Sequence, residues 1–531
     1  MAAVAAVAVA VATAVAAVAV VVAATGATVV VIATAGNTLV PKQTKESLLA
    51  LPAGSLLFLN ARACGTRKPV RVPQARAFSS LARWICDFSR STNLCYTTHN
   101  IVLILSDPGG LYSMSRVPTG PEWPAYTFII PQIYTQVGVR LVGLGNYTPT
   151  GTITNEFFAS ISTRLGDPRT AEDLERVTGL ETRHVRASTL ALCRQMAGTN
   201  APGLIDGDGP ADETLVDMAV VAARRALASA GREVSEIDTV IGASSSDNDG
   251  FPTVAAHVAT RLGLGPVRAT MLKGACACQT EAFQICAEIL AASSAKLVLL
   301  VATEGLLPNI MNVLDWKTSS LFGEGAAAFL LERSAEPTYV INGADASLGP
   351  TLLYQTPLRK DVVEMAEVDL RIRQLYQDGN GAELSKLLGQ YLVGYTRMNG
   401  REVYRTAPRA MAESLDALQR HARIGHEEIA HIIPHQANSR ITRRLGELLV
   451  NDFGWPESTQ QKLVDNFRYY GNLSNASIAT ALIELIRQHK IHDGQWIALP
   501  AVGGGLNYGC WLLRYHEFAN MEAIYTEASF G

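Results

Sequence analysis

The chain has 531 residues and a mass of 56.9 kDa, so two or three domains around a large core are expected. Its 45 Lys and Arg residues against 48 Asp and Glu residues give a net charge of -3, which provides no electrostatic case for nucleic acid as a partner. The eight cysteines have neither paired CxxC spacing nor that of a small secreted framework. Reduced thiols and a cytoplasmic location are therefore expected.

An atypical Ala/Val-rich extension, residues 1–138, precedes the rest. Residues 1–35 carry no charge and are long enough to span a bilayer, but no Lys or Arg precedes them and Ala is only weakly membrane-seeking. Membrane insertion is therefore not the favoured interpretation. Residues 60–90 hold seven basic residues and one acid, as in an organelle transit peptide, and a mistaken upstream start codon explains both stretches equally well. We expect residues 1–138 to be poorly ordered or loosely attached.

From Val139 to about Tyr515 the sequence alternates apolar strand-like runs with helix-forming stretches. One such unit is a predicted helix at 212–231, with Asp212 and Glu213 in its first turn, followed by the apolar run EIDTVIGASSS. Another is a predicted helix at 278–294 that leads into AKLVLLVATEG. This alternation predicts an α/β domain with largely parallel, buried strands.

The strand–helix pattern begins again near residue 336. The run YVINGADASLG resembles VRLVGLGNYTP, and a predicted helix at 405–422 precedes EEIAHIIPHQAN. We therefore predict two related halves, 139–336 and 337–517, with a tail at 518–531; chance similarity between α/β patterns is the alternative. The polar stretch 355–400 is predicted to be an insertion of the kind that often caps a substrate site.

Cys276 is the first candidate for chemistry. It lies in a small-residue turn, KGACACQTEAF, immediately before a helix-forming run. Unpaired N–H groups and the positive end of a helix dipole stabilise a thiolate, so this position suits a nucleophile. The alternative is a buried cysteine that only packs. Cys278 is the poorer candidate because it falls inside the first helical turn.

Three further motifs follow. PHQAN places His435 and Asn438 where an apolar run gives way to a helix, and a neutral imidazole there can donate a hydrogen bond or move a proton. YGNLSNAS places Asn472 before another helix, where it can also be a simple N-cap. ALPAVGGGLNYG ends a strand in three glycines that can offer backbone N–H groups as an oxyanion hole. Singly, each motif has an ordinary structural explanation.

Together, and in this order, the four motifs resemble the β-ketoacyl-ACP synthase III group of the thiolase superfamily. The resemblance runs over roughly 380 residues, from Val139 to Tyr515, and includes GLGNYTP, TGLETRH and FGEGAAA. It implies an α/β thiolase fold, five-layered αβαβα from two related halves, usually assembled as a homodimer.

The resemblance also implies a mechanism in two half-reactions. Cys276 attacks an acyl thioester and keeps the acyl group, while the backbone N–H groups of Cys276 and Gly504 hold the oxyanion. His435 and Asn472 then donate hydrogen bonds to a malonyl thioester as it loses carbon dioxide. The resulting enolate attacks the acyl-cysteine and gives a 3-oxoacyl thioester, as in fatty acid or polyketide-type biosynthesis. Neither a metal nor a cofactor is implied; acyl-CoA and malonyl-ACP are the substrates.

The remaining site assignments concern the acyl pocket and its entrance. Phe251 matches a residue that in this family reaches across the dimer to close the acyl pocket, to which Leu506 is also assigned; an ordinary packed aromatic is the alternative for Phe251. Pantetheine or acyl carrier protein is expected to bind near Asn438 and the i, i+3, i+4 set on the following helix, namely Arg440, Arg443 and Arg444. A solvated basic face is the alternative there.

The sequence departs from the family pattern near the chemistry. Asp173 and Val177 stand where acetyl-CoA-using members carry a Trp and an Arg that grip the nucleotide, so the acyl donor is left open between acyl-CoA and acyl-ACP. Cys278 and Glu324 replace a Gly and an Asp. Two alternatives to the decarboxylating condensation stay open: a non-decarboxylating or head-to-head acyltransferase of the same fold, and a catalytically silent partner subunit.

Overall fold

The computed structural model describes residues 18–25, 28–35, 134–247, 251–345, 353–355, 362–384, 387 and 396–525. The chain divides into two compact units, residues 1–124 and 125–531. In the first unit, β1 (Val18–Thr25) and β2 (Thr28–Ala35) pair antiparallel. The expected transit-like stretch at 60–90 lies outside the described residues. Among the helices that are described, none is long and apolar enough to cross a membrane.

The second unit contains the other described strands and helices. The strands are β3 (Tyr134–Tyr147), β4 (Gly151–Thr154), β5 (Thr182–Val185), β6 (Leu204–Ile205), β7 (Thr239–Ser244), β8 (Arg268–Lys273), β9 (Leu297–Gly305), β10 (Glu324–Ala344), β11 (Leu353–Gln355), β12 (Thr396–Met398), β13 (Ile429–Ile432), β14 (Trp496–Gly503) and β15 (Asn507–Arg514). The helices are α1 (Asn155–Arg164), α2 (Ala171–Thr178), α3 (Ala187–Ala197), α4 (Leu215–Ala230), α5 (Val254–Arg261), α6 (Cys278–Ala292), α7 (Leu306–Asn309), α8 (Trp316–Ser319), α9 (Val362–Gln377), α10 (Gly400–Ala422), α11 (Ser439–Asn451), α12 (Thr459–Lys462), α13 (Phe467–Tyr470), α14 (Ser477–Arg487) and α15 (Glu522–Tyr525).

The two halves repeat one strand order. In the first half the order is β8-β7-β9-β10-β3, with β7 parallel to β8 and β9, and β10 antiparallel to both its neighbours. In the second half the order is β13-β14-β15-β10, in which β13 and β14 are parallel and the other two pairs are antiparallel. Leu463 forms an isolated parallel bridge to Ile432, where the first half has a further strand. The predicted relationship between the halves is therefore visible in their hydrogen bonding.

The layers follow from which helix faces are apolar. Helices α6 and α14 lie between the two half-sheets and contribute Phe283, Leu290, Ile478 and Leu482 to one core with strands of both halves. A helix covered on both sides must be buried around most of its circumference: no residue of α14 is exposed, and in α6 the exposed positions are 281, 288, 291 and 292. Helices α4 and α5 cover the outer face of the first half, and α10 and α11 cover that of the second. The result is the predicted five-layered αβαβα arrangement.

Several predicted boundaries move. Strand β3 begins at Tyr134, and residues 134–138 pair with β10, so the end of the predicted extension belongs to the sheet. Strand β10 runs through the boundary predicted near 336, with a register shift between Arg333 and Pro337. Helix α4 begins at Leu215 because Thr214 and Asp217 form a capping box, so Asp212 and Glu213 precede it.

The predicted insertion at 355–400 is more regular than its polarity suggested. It contains the 16-residue helix α9, and β11 pairs with β12 across it. Ile372, Leu375 and Tyr376 of α9 are buried in one cluster with Phe157 and Phe158 of α1. The described part of the insertion is thus held by apolar packing against the first half.

Candidate active site

Cys276 lies in the short loop between β8 and α6, two residues before the helix begins, and only 6% of it is exposed. The end of β14 lies directly against this loop. A Cβ atom at Gly503 would be 2.8 Å from the Cys276 nitrogen and 2.6 Å from the Ala277 nitrogen. Only glycine permits that approach. The glycine run thus brings the second half of the chain to the nucleophile of the first.

The carboxamide of Asn472 is held in one orientation beside the thiol. The backbone N–H of Asn472 donates to the Leu321 carbonyl at 2.8 Å, and the side-chain Oδ1 accepts from the Ser474 N–H at 2.7 Å. With Oδ1 occupied, the Nδ2 group is the one available to the Cys276 thiol, which is hydrogen-bonded by the side chains of both Asn472 and Ser474. Ser474 has a left-handed backbone (φ 48°), which is uncommon for a residue other than glycine.

His435 follows β13 and is also buried. Its backbone N–H donates to the Pro500 carbonyl at 2.8 Å, and its Nδ1 lies 2.8 Å from the Ser477 hydroxyl. Burial lowers the pKa of His435 to about 3, so the imidazole is neutral near pH 7. A neutral ring has one donor and one acceptor nitrogen, and which is which follows from the Ser477 contact.

The thiol is less acidic than its place before a helix suggested. The pKa of Cys276 is raised to about 11: burial raises it most and the carboxylate of Glu304 adds to this, whereas hydrogen bonds from Ser474, the backbone and Asn472 lower it. Desolvation of the sulfur thus outweighs the stabilisation that the helix start and the surrounding donors give to a thiolate. The resting pair is a thiol and a neutral imidazole.

A buried carboxylate, Glu304, ties together the loops that carry these groups. It accepts hydrogen bonds from Ser245 N at 3.0 Å, Ser246 Oγ at 2.6 Å and Asn475 Nδ2 at 2.6 Å. Burial raises the pKa of Glu304, while these donors lower it. Asn475 also accepts from the Gln279 N–H in the first turn of α6, at 3.0 Å. The carboxylate thus connects the end of β9, the 244–247 loop and the segment after Asn472.

Cys276, His435 and Asn472 line one cavity of about 440 Å³. Its walls are largely apolar and include Val177, Leu321, Phe322, Met398, Val403, Ile441, Val502 and Leu506. Its lining also holds three cations: Lys317, Arg401 and Arg440, the last of which lies over the Tyr404 ring at 5.2 Å. The cavity therefore combines a reactive thiol, an apolar interior and positive charge.

The other predicted site residues divide into two groups. Gly504, Leu506, Asn438 and Arg440 line the cavity, and Asn438 additionally caps α11 by accepting from Arg440 N at 2.8 Å. Phe251, Arg443 and Arg444 do not line it: the first is 96% exposed, the second is exposed and the third pairs with Glu447. The predicted basic face thus reaches the cavity through Arg440 alone.

The two positions where acetyl-CoA-using members of the family carry a Trp and an Arg have other roles in this structure. Asp173 is in the capping box of α2 with Thr170, and it pairs with Arg176. Val177 is half exposed and contributes to the cavity wall. Neither offers a planar cation or a large aromatic ring for stacking on a base.

Sequence reasoning missed four residues of this site. Gly503, and not only Gly504, makes the close approach to the nucleophile. Ser474 and Ser477 contact Cys276 and His435, and Glu304 organises the loops beneath them. The serines stand in the YGN-x-S-x-A-S motif, so their spacing was visible. Nothing in the sequence signals Glu304, because a single acid at the end of an apolar run is common.

Comparisons with known proteins agree with this geometry. The protein-family model for 3-oxoacyl-[acyl-carrier-protein] synthase III matches residues 272–347, and the family model for the C-terminal part of that synthase matches residues 419–515. β-Ketoacyl-[acyl-carrier-protein] synthase III of Clostridium perfringens is 30% identical over 380 residues, which are 71% of this chain and 98% of that protein. The Aquifex aeolicus protein of the same name is 29% identical over 382 residues, 71% of this chain and all of that protein.

Solved structures give the same result. The 3-oxoacyl-[acyl-carrier-protein] synthase III of Aquifex aeolicus has 28% identity and a TM-score of 0.54 over 71% of this chain and 100% of that one. A priming β-ketosynthase of the R1128 polyketide pathway has 25% identity and a TM-score of 0.55 over 72% and 97%. These comparisons confirm the predicted family and the predicted fold class.

The state of the thiol can be tested by alkylation. We expect the rate of iodoacetamide modification of Cys276 to rise about tenfold per pH unit between about pH 7 and 9. The reason is that the thiolate fraction increases about tenfold per pH unit as long as the pH is well below the pKa of the thiol. Ser474→Ala should slow the reaction several-fold at each pH, as expected for the loss of one hydrogen bond worth about 1 kcal/mol. Peptide mass spectrometry measures both rates.

The matched control is Ser160→Ala, since the one hydrogen bond of that hydroxyl among the described residues goes to the Phe157 carbonyl on α1. It should leave the rate unchanged. A modification rate that is flat from pH 7 to 9 in the unmodified sequence would contradict a resting thiol.

Proposed function

Because the chain belongs to the β-ketoacyl-ACP synthase III family, we propose that it condenses a Cys276-bound acyl group with a malonyl group carried on acyl carrier protein, releasing carbon dioxide and a 3-oxoacyl thioester. One observation carries the proposal: Cys276, His435 and Asn472 line a single cavity, with the Asn472 amide already on the sulfur. Such a constellation suits acyl transfer through a covalent thioester.

In the first half-reaction the sulfur of Cys276 attacks the acyl thioester carbonyl. The N–H groups of Cys276 and Gly504 are proposed to hold the oxyanion, and the approach of Gly503 to the Cys276 nitrogen supports this, since it sets the two backbone segments side by side. A preorganised donor of this kind is worth about 3–4 kcal/mol in other acyl-transfer enzymes. The free thiol then leaves and the acyl group stays on Cys276.

In the second half-reaction the malonyl thioester takes the place of the departed thiol. Its carbonyl oxygen gains negative charge as the carboxylate leaves, and His435 and Asn472 are proposed to donate to that oxygen. The fixed carboxamide supports this role, because Oδ1 is occupied by Ser474 N and Nδ2 is the end left for the substrate. Donors that strengthen as charge develops stabilise the transition state selectively.

The proposal predicts coupled release of carbon dioxide and product. With malonyl-ACP labelled in its free carboxylate and a series of acyl-CoA esters, labelled carbon dioxide should appear in equal amount to 3-oxoacyl-ACP. Cys276→Ala should abolish acyl-mass addition to the protein, and Asn472→Ala should allow acylation but slow decarboxylation about 10²- to 10³-fold. Scintillation counting and intact-protein mass spectrometry measure these quantities.

Two outcomes would contradict the assignment. Acyl transfer to a product that retains the malonyl carboxylate would favour the non-decarboxylating alternative. A protein that gains no acyl mass from any donor would favour a silent subunit.

The cations of the cavity lining are proposed to receive the pantetheine phosphate of an acidic carrier protein. Arg440 is exposed, lines the cavity and lies on the first turn of α11. Phosphate groups are well matched to a guanidinium. Arg443 and Arg444 do not line the cavity and are proposed to add only long-range attraction.

We therefore expect Arg440→Ala to raise the KM for malonyl-ACP about tenfold, which corresponds to about 1.4 kcal/mol, with little change in kcat. Arg443→Ala on the same helix is the matched comparison and should change KM less than about twofold at physiological salt. Steady-state kinetics on both variants gives the answer. Equal effects of the two substitutions would overturn the assignment of Arg440 to the phosphate.

A homodimer is proposed from the exposed edge of the first half. Strand β8 is an edge strand of the described sheet, and Phe251, in the segment between β7 and α5, is 96% exposed. An unpaired strand edge is a natural site for pairing with another chain. In such a dimer Phe251 is proposed to reach the acyl pocket of the second copy.

Phe251→Ala should then shift the acyl-CoA preference toward longer chains, because the pocket loses its closing side chain. Activity across C2 to C12 acyl-CoA esters measures the shift, and sedimentation analysis checks that the variant stays dimeric. A dimeric variant with an unchanged chain-length profile would contradict a role for Phe251 in the pocket. A monomeric parent protein would contradict the dimer.

A further inference from the structure

The hydroxyl of Ser477, the first residue of α14, lies between the His435 ring and the segment 472–474 that carries Asn472. It is buried, and it makes two polar contacts: 2.7 Å to the Ser474 carbonyl oxygen and 2.8 Å to His435 Nδ1. The first contact lies at the end of the segment that positions Asn472. The second is made by the ring whose protonation state decides what His435 can do.

The number of protons fixes the direction of both hydrogen bonds. A carbonyl oxygen can only accept, so the single hydroxyl proton of Ser477 belongs to the contact with Ser474. The Ser477 oxygen is then an acceptor toward His435, and Nδ1 must carry a proton. The reverse assignment would place two oxygen lone pairs 2.7 Å apart with no proton between them, in a buried site where an unmade hydrogen bond is costly.

We infer that Ser477 is a positioning residue that holds His435 in the tautomer with its proton on Nδ1, so that Nε2 begins the reaction as a proton acceptor. This inference rests on the proposed function for its catalytic meaning. It also limits the donor role given to His435 above, because a neutral ring of this tautomer has no proton on Nε2 to donate to a malonyl carbonyl.

The two roles are reconciled if His435 receives its second proton during the cycle. The Cys276 thiol proton moves to Nε2 as the sulfur attacks the acyl donor, and the imidazolium remains. The expelled thiolate takes a proton from solvent as it leaves. His435 then donates from Nε2 to the malonyl carbonyl while the carbon–carboxylate bond breaks and the enolate forms.

The last step returns the proton. The enolate carbon attacks the acyl-Cys276 carbonyl, the bond to sulfur breaks, and the cysteine leaves as a thiolate. That thiolate takes back the Nε2 proton, which restores the resting pair. One solvent proton is consumed per turnover. This agrees with the overall reaction, in which acyl-CoA, malonyl-ACP and one proton give 3-oxoacyl-ACP, carbon dioxide and the free thiol.

The tautomer can be observed directly. In full-length enzyme with ring-¹⁵N histidine, solid-state NMR distinguishes protonated from unprotonated ring nitrogens, and a difference spectrum against His435→Gln assigns the signals of His435. We expect a protonated Nδ1 and an unprotonated Nε2 in the resting enzyme. A protonated Nε2 with a bare Nδ1 would overturn the inference whatever the activity of the enzyme.

Two substitutions connect the tautomer to the reaction. Ser477→Ala removes the acceptor for Nδ1, so the ¹⁵N spectrum should show the other tautomer and the acylation rate should fall about tenfold or more. Ser477→Thr keeps the hydroxyl and should keep both the spectrum and most of the rate. A Ser477→Ala enzyme with an unchanged ¹⁵N spectrum would overturn the role of Ser477.

The spectrum also separates this inference from the proposed function. The expected tautomer in an enzyme that releases no carbon dioxide would reject decarboxylating condensation and leave the Ser477 assignment intact. If Ser477→Ala does not fold, the spectrum of the unsubstituted enzyme still decides which nitrogen carries the proton.

Discussion

The active site depends on the turn of residues 472–477, and that turn depends on the left-handed backbone of Ser474. This one conformation directs the Ser474 N–H to Asn472 Oδ1, its hydroxyl to the sulfur and its carbonyl to Ser477. A residue in this region costs of order 1–3 kcal/mol, so the surrounding contacts must over-determine it. Nucleophile, carboxamide and imidazole are therefore oriented by one strained turn.

The contacts that hold the turn meet at Glu304. Asn475 donates to this carboxylate and also to Ser245 Oγ at 3.3 Å, while Ser245 Oγ lies 2.9 Å from Ser474 Oγ. Since the Nδ2 group of Asn475 can only donate, the Ser245 hydroxyl accepts from it and can donate its own proton to Ser474 Oγ, which leaves the Ser474 proton for the sulfur. A buried carboxylate is costly unless its hydrogen bonds are satisfied, and here several donors surround it. The site is thus built on a polar network below an apolar cavity.

Much of the fold could be predicted because its signals are local. Apolar strands, capping residues and glycine turns recur in both halves, and the order of four motifs identified the family. Element boundaries were less predictable: the capping box at Thr214 moved one helix start, and α9 arose within a polar stretch because Ile372 and Tyr376 pack on α1. Apolar residues that find their partners far away in sequence give no periodic signal strong enough to be recognised.

Within the site, residue types could be predicted but not their electrostatic state. The place of Cys276 before α6 indicated that the thiolate is stabilised by the helix dipole. Whether this stabilisation or the desolvation of the sulfur has the larger effect on the pKa depends on how deeply the fold buries the residue, of which only 6% is exposed. The same burial keeps His435 neutral. A low-dielectric cavity penalises every separated charge in the resting state, and it strengthens each hydrogen bond to an oxyanion or enolate once that charge appears. The burial that makes Cys276 a weak acid at rest therefore also makes the donors around it effective during the reaction. For the same reason, the site favours proton transfer from Cys276 to His435 only when substrate is present over a permanent thiolate–imidazolium ion pair.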